Sequence, residues 1–175
     1  MNLLLKDEAG HPGVSRLYDF QPLHLCHGYP TADCFEVVQT TDGRGMGVRT
    51  LTSFRRGDMI CKISGIVINE RRLHTLQITP HSHLYDPYFS GLLLHCCDPN
   101  VFLDMSDFEL WAIKDIAAGK LLQMDYASTE DILMRQFACR CGAPNCRGWI
   151  TGSKEEINQE GRRHLAGNVA ALAEN

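Results

Sequence analysis

Three cysteines lie within eight residues near the end of the chain, in Cys139-Arg140-Cys141-Gly142-Ala143-Pro144-Asn145-Cys146. Gly142 and Pro144 are turn-forming residues, and a turn here would let the three thiolates converge on one small ion. Zinc prefers four soft ligands in a tetrahedron, so this stretch supplies one ligand too few. The spacing therefore predicts a zinc site whose fourth ligand comes from another part of the chain.

The candidate for the missing ligand lies upstream, in Leu94-His95-Cys96-Cys97-Asp98-Pro99-Asn100. Either Cys97 or Cys96 can complete the set, and the metal would then tie together two segments that are distant in sequence. The alternative is a group of reduced, partly buried thiols without a metal. Clustered cysteines in a chain without a secretion signal are more often metal ligands than disulfide partners, which favours zinc.

The composition is typical of one soluble globular domain. The chain has 175 residues, of which 44% are hydrophobic and 22% charged, and its formal net charge is −4. A negatively charged chain lacks the electrostatic footprint of a nucleic-acid-binding protein, so we expect no nucleic-acid partner. No apolar run is long enough to span a membrane, and Met1 to Leu5 is too short for the core of a signal peptide. We therefore expect a soluble intracellular protein with no membrane partner, cytoplasmic unless it enters the nucleus.

A glycine-rich turn follows the first predicted strand. Cys34 to Gln39 is rich in β-branched residues, which predicts a strand. Gly43, Gly45 and Gly47 then occupy alternate positions. Glycines at such positions let the backbone approach a ligand closely. A tight hairpin without a ligand explains the same pattern, so both interpretations remain open.

The middle of the chain predicts short strands separated by turn signals every ~8–12 residues. The predicted strands are Met59 to Ile68 as a pair, Thr75 to Ile78, Val101 to Asp104, Phe108 to Ile113, and Leu121 to Tyr126. Pro80 to Pro87 is predicted to be a loop. This pattern indicates a mostly β fold.

The C-terminal tail, residues 153–175, changes to a helical pattern. Ser153 and Glu156 form a capping-box pattern with Ser153 as the N-cap. Apolar residues then recur on one side at helical spacing, at Ile157, Leu165, Val169 and Leu172. Gly161 and Gly167 each weaken a helix by about 1 kcal/mol relative to alanine. We therefore expect a helix that needs a surface to pack on.

Four segments, in this order, resemble the SET-domain proteins, most of which are S-adenosylmethionine-dependent protein-lysine methyltransferases. They are a cofactor loop at Gly43 to Val48, a motif similar to Asn-His-Ser-Cys-Asp-Pro-Asn at His95 to Asn100, a strand and tyrosine at Ile113 to Tyr126, and a post-SET module at Cys139 to Ile150. The similarity covers roughly residues 35 to 152 and is greatest for short stand-alone SET proteins.

The resemblance implies a SET-type β-clip fold, with small curved sheets around a threaded C-terminal segment. It implies an N-terminal flanking segment (1–34), a SET domain (35–136), a post-SET zinc module (137–152) and a C-terminal helix (153–175). It also selects Cys97 over Cys96 as the fourth ligand of one structural Zn²⁺. The implied ligands are Cys97, Cys139, Cys141 and Cys146.

The resemblance further implies a site for S-adenosyl-L-methionine between the glycine loop, the upstream motif and the zinc module. The implied cofactor residues are Gly43, Arg44, Gly45, Met46, Gly47, Leu94, His95 and Trp149. Trp149 would lie against the adenine, and a core position is the alternative. Tyr126 matches the family's catalytic tyrosine, whose hydroxyl points at the methyl group and the amine. Orientation of the two reactants would then supply much of the barrier reduction.

The sequence departs from the family at several positions around the implied site. Leu94 replaces the motif's asparagine, and Gly91 replaces the arginine three residues before it. Ile63 and Ile66 replace a tyrosine and a glutamate of the second strand, and Met124 replaces an aromatic residue. A lysine channel built from Ile63 and Met124 would be more aliphatic than an aromatic one.

Three functions remain open at this point. The first is a methyltransferase acting on a lysine of a protein or peptide. The second is a repurposed SET fold acting on a small molecule, such as a natural-product intermediate, with the cofactor bound but its methyl group not necessarily transferred. The third is a non-catalytic binding module. The tyrosine and the glycines favour an enzyme, whereas the departures favour the other two, and the oligomeric state does not follow from the sequence.

Overall fold

The computed structural model describes residues 28–173, with side chains up to residue 167, so most of the predicted flanking segment lies outside the described residues. Within this range the strands are β1 (Phe35–Gln39), β2 (Met46–Thr50), β3 (Met59–Lys62), β4 (Ile66–Ile68), β5 (Thr75–Thr79), β6 (Ser82–Tyr85), β7 (Leu94–His95), β8 (Val101–Asp104), β9 (Glu109–Ala112), β10 (Gln123–Met124), β11 (Phe137–Ala138) and β12 (Trp149–Ile150). Two 3-10 turns span Ser90–Leu92 and Tyr126–Ser128, and the helix is α1 (Gln159–Ala173). The described chain is therefore mostly β, as the sequence predicts.

The strands of residues 28–173 form five small sheets. β1 and β2 pair in antiparallel fashion, as do β11 and β12, while β7 and β10 are parallel. Two three-stranded sheets have the strand orders β3-β9-β8 and β4-β6-β5. The β8–β9 pair is the hairpin that the sequence predicts, with Phe108 in the left-handed region (φ 56°) at its turn. Because each sheet is small, stability depends on packing the sheets against one another.

One apolar cluster joins four of these sheets, all except the β11–β12 pair. Phe35 of β1 packs edge-on against Phe89, with ring centroids 5.1 Å apart, and stacks on Phe54 at 6.2 Å. Leu110 of β9 and Leu122 are completely buried in the same cluster. The loops that leave this core therefore start from fixed positions.

The parallel pair β7–β10 positions the upstream motif beside the strand that leads to Tyr126. Its register pairs His95 with Met124. Asn100 braces the pair, because its side chain makes two hydrogen bonds of 2.8 Å to the backbone of residues 121 and 123. Two segments that are remote in sequence thus meet at one point.

The prediction of a loop from Pro80 to Pro87 is wrong, because this segment contains β6. β6 is the central strand of its sheet and pairs Leu84 with Val67 on one side and with Leu76 on the other. The prolines mark only the flanks of the strand. Hydrogen-bonding partners on both edges override the local loop signals.

Helix α1 begins later than the capping-box pattern predicts. The Asn158 side chain accepts the backbone N–H of Gly161 at 2.8 Å, so Asn158 is the N-cap. Ser153, the predicted N-cap, instead donates to a carboxylate of the preceding loop. A side chain at Gly161 would collide with the indole of Trp149. The glycine that weakens an isolated helix is therefore required for this helix to pack.

No helix within residues 28–173 is both long and apolar enough to cross a membrane. The domain boundaries after residues 34, 136 and 152 stay predictions. β11 and β12 flank the cysteine-rich stretch and pair with each other, which closes it into a loop.

Candidate functional site

The four predicted cysteine ligands meet in space. The Sγ atoms of Cys97, Cys139, Cys141 and Cys146 all lie within 4.8 Å of one another. Those of Cys97 and Cys139 are 3.9 Å apart. A tetrahedral zinc ion with Zn–S bonds of about 2.3 Å requires sulfur atoms roughly 3.8 Å apart. The cluster therefore fits one zinc ion.

Backbone amides donate to two sulfur atoms of this cluster. The Arg147 N–H points at Cys97 Sγ at 3.3 Å, and the Gly148 N–H points at Cys146 Sγ at 3.5 Å. Burial alone would raise the pKa of Cys141, but backbone hydrogen bonds and adjacent thiols lower it to about 6, whereas burial raises the pKa of Cys139 and of Cys146. Of these three thiols, Cys141 is the one whose surroundings favour the thiolate, the form that binds a metal.

Cys96 lies outside the cluster. Its side chain is buried, and its Sγ accepts the backbone N–H of Asp98 at 3.4 Å. Of the two adjacent cysteines, Cys97 is the one whose Sγ belongs to the group of four sulfur atoms within 4.8 Å of one another.

His95 connects the cysteine cluster to Tyr126. Its Nδ1 accepts the backbone N–H of Tyr126 at 3.3 Å, and its Nε2 lies 3.4 Å from Cys97 Sγ. Because Nδ1 is the acceptor, Nε2 carries the proton and donates to the sulfur. Burial lowers the pKa of His95 to about 4, although the nearby Asp125 carboxylate opposes this. The ring is therefore neutral at physiological pH.

Tyr126 lies in the 3-10 turn that follows β10. Its ring is edge-on to His95 at 5.2 Å and to Phe137 at 6.0 Å. Its hydroxyl donates to the carbonyl oxygen of Leu93 at 2.8 Å. Burial raises the pKa of Tyr126 to about 12, so the hydroxyl stays protonated. A neutral hydroxyl held in one orientation can position a reactant but cannot act as a base near neutral pH.

A cavity of about 1190 Å³ opens beside Tyr126. The predicted site residues that line it are Gly43, Arg44, Leu94, His95, Met124, Tyr126 and Trp149. Those that do not line it are Gly45, Met46, Gly47 and Ile63. Small-molecule sites usually measure about 300–1,000 Å³, so this cavity can hold a cofactor and a substrate group together.

The glycine loop borders the cavity with its first glycine. Gly43 has φ 78°, and a Cβ there would lie 3.1 Å from Nη1 of Arg140. Gly47 has another role, because a Cβ at this position would lie 2.7 Å from Cδ1 of Leu94. Gly45 has φ 99° and open space around it, as expected for a turn residue. The three glycines thus have different surroundings, and Gly43 is the one of the three that lines the cavity.

Trp149 is both a core residue and part of the cavity wall. Its side chain is buried, and its Nε1 donates to the side-chain oxygen of Gln136 at 3.0 Å. Its ring lies 5.5 Å from the ring of His164 on α1. Both rings also line the cavity, so Trp149 and helix α1 form one part of its wall together.

The two predicted channel residues both belong to the apolar core, but they differ in access to the cavity. Met124 also lines the cavity, whereas Ile63 does not. Gly91, where the family has arginine, leaves no room for a side chain. A Cβ there would collide with the carbonyl group of Asp86 and lie 2.7 Å from that of His74. This chain therefore cannot place an arginine at that position.

The cavity wall carries more cationic than anionic side chains. The arginines that line it are Arg44, Arg71, Arg72, Arg135, Arg140 and Arg163, and the acids are Glu130 and Glu160. Nη1 of Arg44 and Nε of Arg71 are buried without a hydrogen-bond partner. Such donors are costly unless a ligand or water satisfies them. Two of these residues were not predicted from the sequence. No local signal identifies Arg71. Glu130 could have been identified, because it lies about one helical turn after Tyr126.

Comparison with known proteins supports this description. No protein-family profile matches the chain. It is similar to histone-lysine N-methyltransferase SUV39H2 of Xenopus tropicalis (29% identity over 165 residues) and to methyltransferase flvH of Aspergillus flavus (28% over 128 residues). Each match covers 70% of this chain, with 40% of the SUV39H2 protein and 71% of flvH. The chain thus spans less than half the length of the SUV39H2 relative.

Among solved structures, this chain is similar to the crystal structure of KRYPTONITE in complex with mCHG DNA and SAH. The TM-score is 0.54 with 26% identity, and the match covers 66% of this chain and 28% of that one. The SET-type, mostly β fold with a C-terminal helix that the sequence predicts is therefore confirmed. Because the KRYPTONITE complex contains DNA, the expected absence of a nucleic-acid partner stays a prediction.

Proposed function

We propose that the protein is an S-adenosylmethionine-dependent N-methyltransferase that acts on a lysine amine of a protein or peptide. One observation carries the proposal: Tyr126, with its hydroxyl held by a hydrogen bond, lines the same cavity as Gly43 and His95. A methyltransferase must hold an amine and a methyl donor in line in a dry site, and orientation then lowers the barrier. Both relatives named above are methyltransferases, which supports this class of reaction.

The residues that line the cavity match the chemical groups of the cofactor. Arg44 has a buried, unpartnered N–H that fits a carboxylate, and Gly43 removes a side chain beside it. Leu94 and Trp149 offer apolar surface for a purine, next to His95. When bound, the cofactor supplies the methyl group, and these five residues would hold it. Gly45, Met46 and Gly47 do not line the cavity, and their role in cofactor binding stays a prediction.

We also propose that the cysteine cluster holds one structural zinc ion. The metal would tie Cys97, which follows β7, to the loop between β11 and β12. His95 hydrogen-bonds both to Cys97 and to the backbone of Tyr126, so the zinc site would hold the tyrosine turn in place.

A protein lysine is favoured over a small molecule as substrate. The SUV39H2 relative is named for histone lysine, and the name of flvH specifies no substrate. The aliphatic Met124 in the cavity wall keeps a small amine as the second candidate, because the usual aromatic channel is incomplete.

Calorimetry followed by a transfer assay tests the proposal. We expect zinc-loaded protein to bind one equivalent of S-adenosylmethionine and of its demethylated product. With radiolabelled cofactor, we expect label to enter histone octamers or a lysine-centred peptide pool rather than n-butylamine. Absence of cofactor binding would instead support the non-catalytic binding module, and label confined to the small amine would support the repurposed enzyme.

A further inference from the structure

A buried carboxylate lies close to Tyr126 in the cavity wall. Glu130 is 7% exposed and lines the cavity. Its backbone N–H donates to the carbonyl oxygen of Tyr126 at 2.8 Å, so one hydrogen-bonded turn fixes the two residues relative to each other. Its charge also contributes to raising the pKa of Tyr126, which indicates that the two side chains are near one another.

The carboxylate is incompletely satisfied by the protein. One oxygen, Oε1, accepts the backbone N–H of Gln77 at 2.8 Å, and this is the single hydrogen bond to the carboxylate found within residues 28–173. Arg71 acts on it electrostatically, yet the two form no ion pair within 4.0 Å in the described chain. A buried carboxylate without a counter-ion is unfavourable and would be stabilised by a bound cation.

The electrostatic environment of Glu130 follows from the groups that surround it. Burial raises the pKa of Glu130 to about 7, the Gln77 amide and Arg71 oppose this, and the Asp131 carboxylate adds to it. The side chain therefore changes its protonation state near neutral pH, which suits a group that accepts a proton.

The proposed reaction needs a group of this kind. A lysine amine has a pKa of about 10.4 in water, so it arrives as an ammonium group without a free electron pair. Met124 cannot bind an ammonium group by charge, and Tyr126 stays protonated. The other acid of the cavity wall, Glu160, is exposed on the first turn of α1. Of the two acids that line the cavity within residues 28–173, Glu130 is thus the buried one.

We propose that Glu130 binds the substrate ammonium group and accepts its proton, a role that rests on the proposed methyltransferase function. The N–H bond breaks, the proton moves to a carboxylate oxygen of Glu130, and the nitrogen keeps the electron pair. That pair forms the new N–C bond, while the pair of the broken S–C bond stays on the sulfur of the S-adenosylmethionine. The proton then leaves Glu130 for solvent through the cavity. The substrate class is therefore a primary alkylammonium group.

Glu130→Gln, with Asp131→Asn as its matched control, tests this role. The glutamine carbonyl can still accept the Gln77 amide, so the local structure is kept while the charge is lost. Asp131 bonds to the Gln77 side chain at 2.8 Å but does not line the cavity. Asp131→Asn therefore perturbs the same junction and keeps the Glu130 carboxylate. Loss of the Asp131 charge removes one of the causes that raise the pKa of Glu130, so Glu130 stays ionised at pH 8 in this variant.

Two measurements are made on zinc-loaded protein. The first measurement is the binding of n-butylammonium, a lysine side-chain analogue, which is monitored by NMR at pH 8. We expect saturable binding that weakens at least about tenfold in Glu130→Gln and stays unchanged in Asp131→Asn. The second is kcat/KM for methyl transfer to the lysine-centred peptide pool as a function of pH.

The pH profile separates proton transfer from structural support. For the wild-type protein, kcat/KM should rise through about pH 7 and then stay level until the substrate loses its own proton. In Glu130→Gln it should fall by about 10²-fold at pH 8 and keep rising until about pH 10, because the amine must then be deprotonated in solution.

Either of two results overturns the proposal. One is a Glu130→Gln protein with the wild-type profile and wild-type binding of n-butylammonium. The other is equal losses in Glu130→Gln and Asp131→Asn, which would assign Glu130 a structural role. If the wild-type protein transfers no methyl group to any probe, the proposed function fails separately, and the n-butylammonium titration still decides whether Glu130 binds an amine.

Discussion

Replacing Glu130 with glutamine should make the protein more stable at alkaline pH, even though we expect it to reduce activity. The pKa of Glu130 is raised from 4.5 to about 7, with burial as the largest cause. A raised pKa means that the folded chain binds more protons than the unfolded chain between these two values. Stability therefore falls as pH rises through this window and stays lower above pH 7.

The size of the effect follows from the same two values. One pH unit of pKa difference corresponds to about 1.4 kcal/mol, so a rise from 4.5 to about 7 sets an upper bound of about 3.4 kcal/mol. Glutamine must also be desolvated at this position, so we expect a gain of about 1–2 kcal/mol at pH 8 and almost none at pH 5. Other titrating groups are common to both proteins and cancel in the difference.

Urea denaturation at several pH values between 5 and 8.5 measures this difference. Asp131→Asn should change the stability in the opposite direction, because hydrogen bonds from Gln77 and Lys154 lower the pKa of Asp131. Loss of that carboxylate should reduce stability at neutral pH. The reasoning is refuted if Glu130→Gln is less stable than the wild-type protein at pH 8, or if the difference between them does not depend on pH.

Three further predictions concern the metal cluster, the tyrosine and the glycine loop. Cys97→Ser should reduce bound zinc to below half an equivalent in elemental analysis and loosen the C-terminal segment in hydrogen exchange, whereas Cys96→Ser should do neither. Tyr126→Phe should lower the transfer rate by about 10²–10³ in initial-rate assays while calorimetry shows little change in cofactor affinity, and full activity would contradict its proposed role. Gly47→Ala should cost about 1–3 kcal/mol in urea denaturation, because its Cβ would overlap the Leu94 side chain. The double variant with Leu94→Ala should recover part of that loss, and simple additivity would disprove the contact.

The cysteine cluster shows how far local spacing can lead. Three thiols within one turn are close in space whatever the rest of the chain does, so Cys139, Cys141 and Cys146 could be grouped from the sequence. The choice between Cys96 and Cys97 could not be made in this way, because adjacent residues differ only in the side of the chain to which they point.

Local signals failed where pairing or packing determines the structure. Pro80 and Pro87 predict a loop, but β4 and β5 supply hydrogen-bonding partners to the residues between them. A capping-box pattern at Ser153 predicts an early start for the helix, yet the position of Trp149 requires that Gly161 lie in its first turn. In each case the competing interaction comes from residues outside the short stretch of sequence that carries the local signal.

The sequence alone determined the mostly β class, the grouping of Cys139, Cys141 and Cys146, and the tyrosine that follows β10, because each depends on residues that are neighbours along the chain. The tertiary structure decided which residues share the cavity. It left Ile63 outside the cavity that Met124 lines, gave Gly47 a packing role against Leu94, and joined the Glu130 carboxylate to the backbone of Gln77. Burial and the field of distant charges set the protonation of that carboxylate, and both depend on contacts between segments that the sequence keeps far apart.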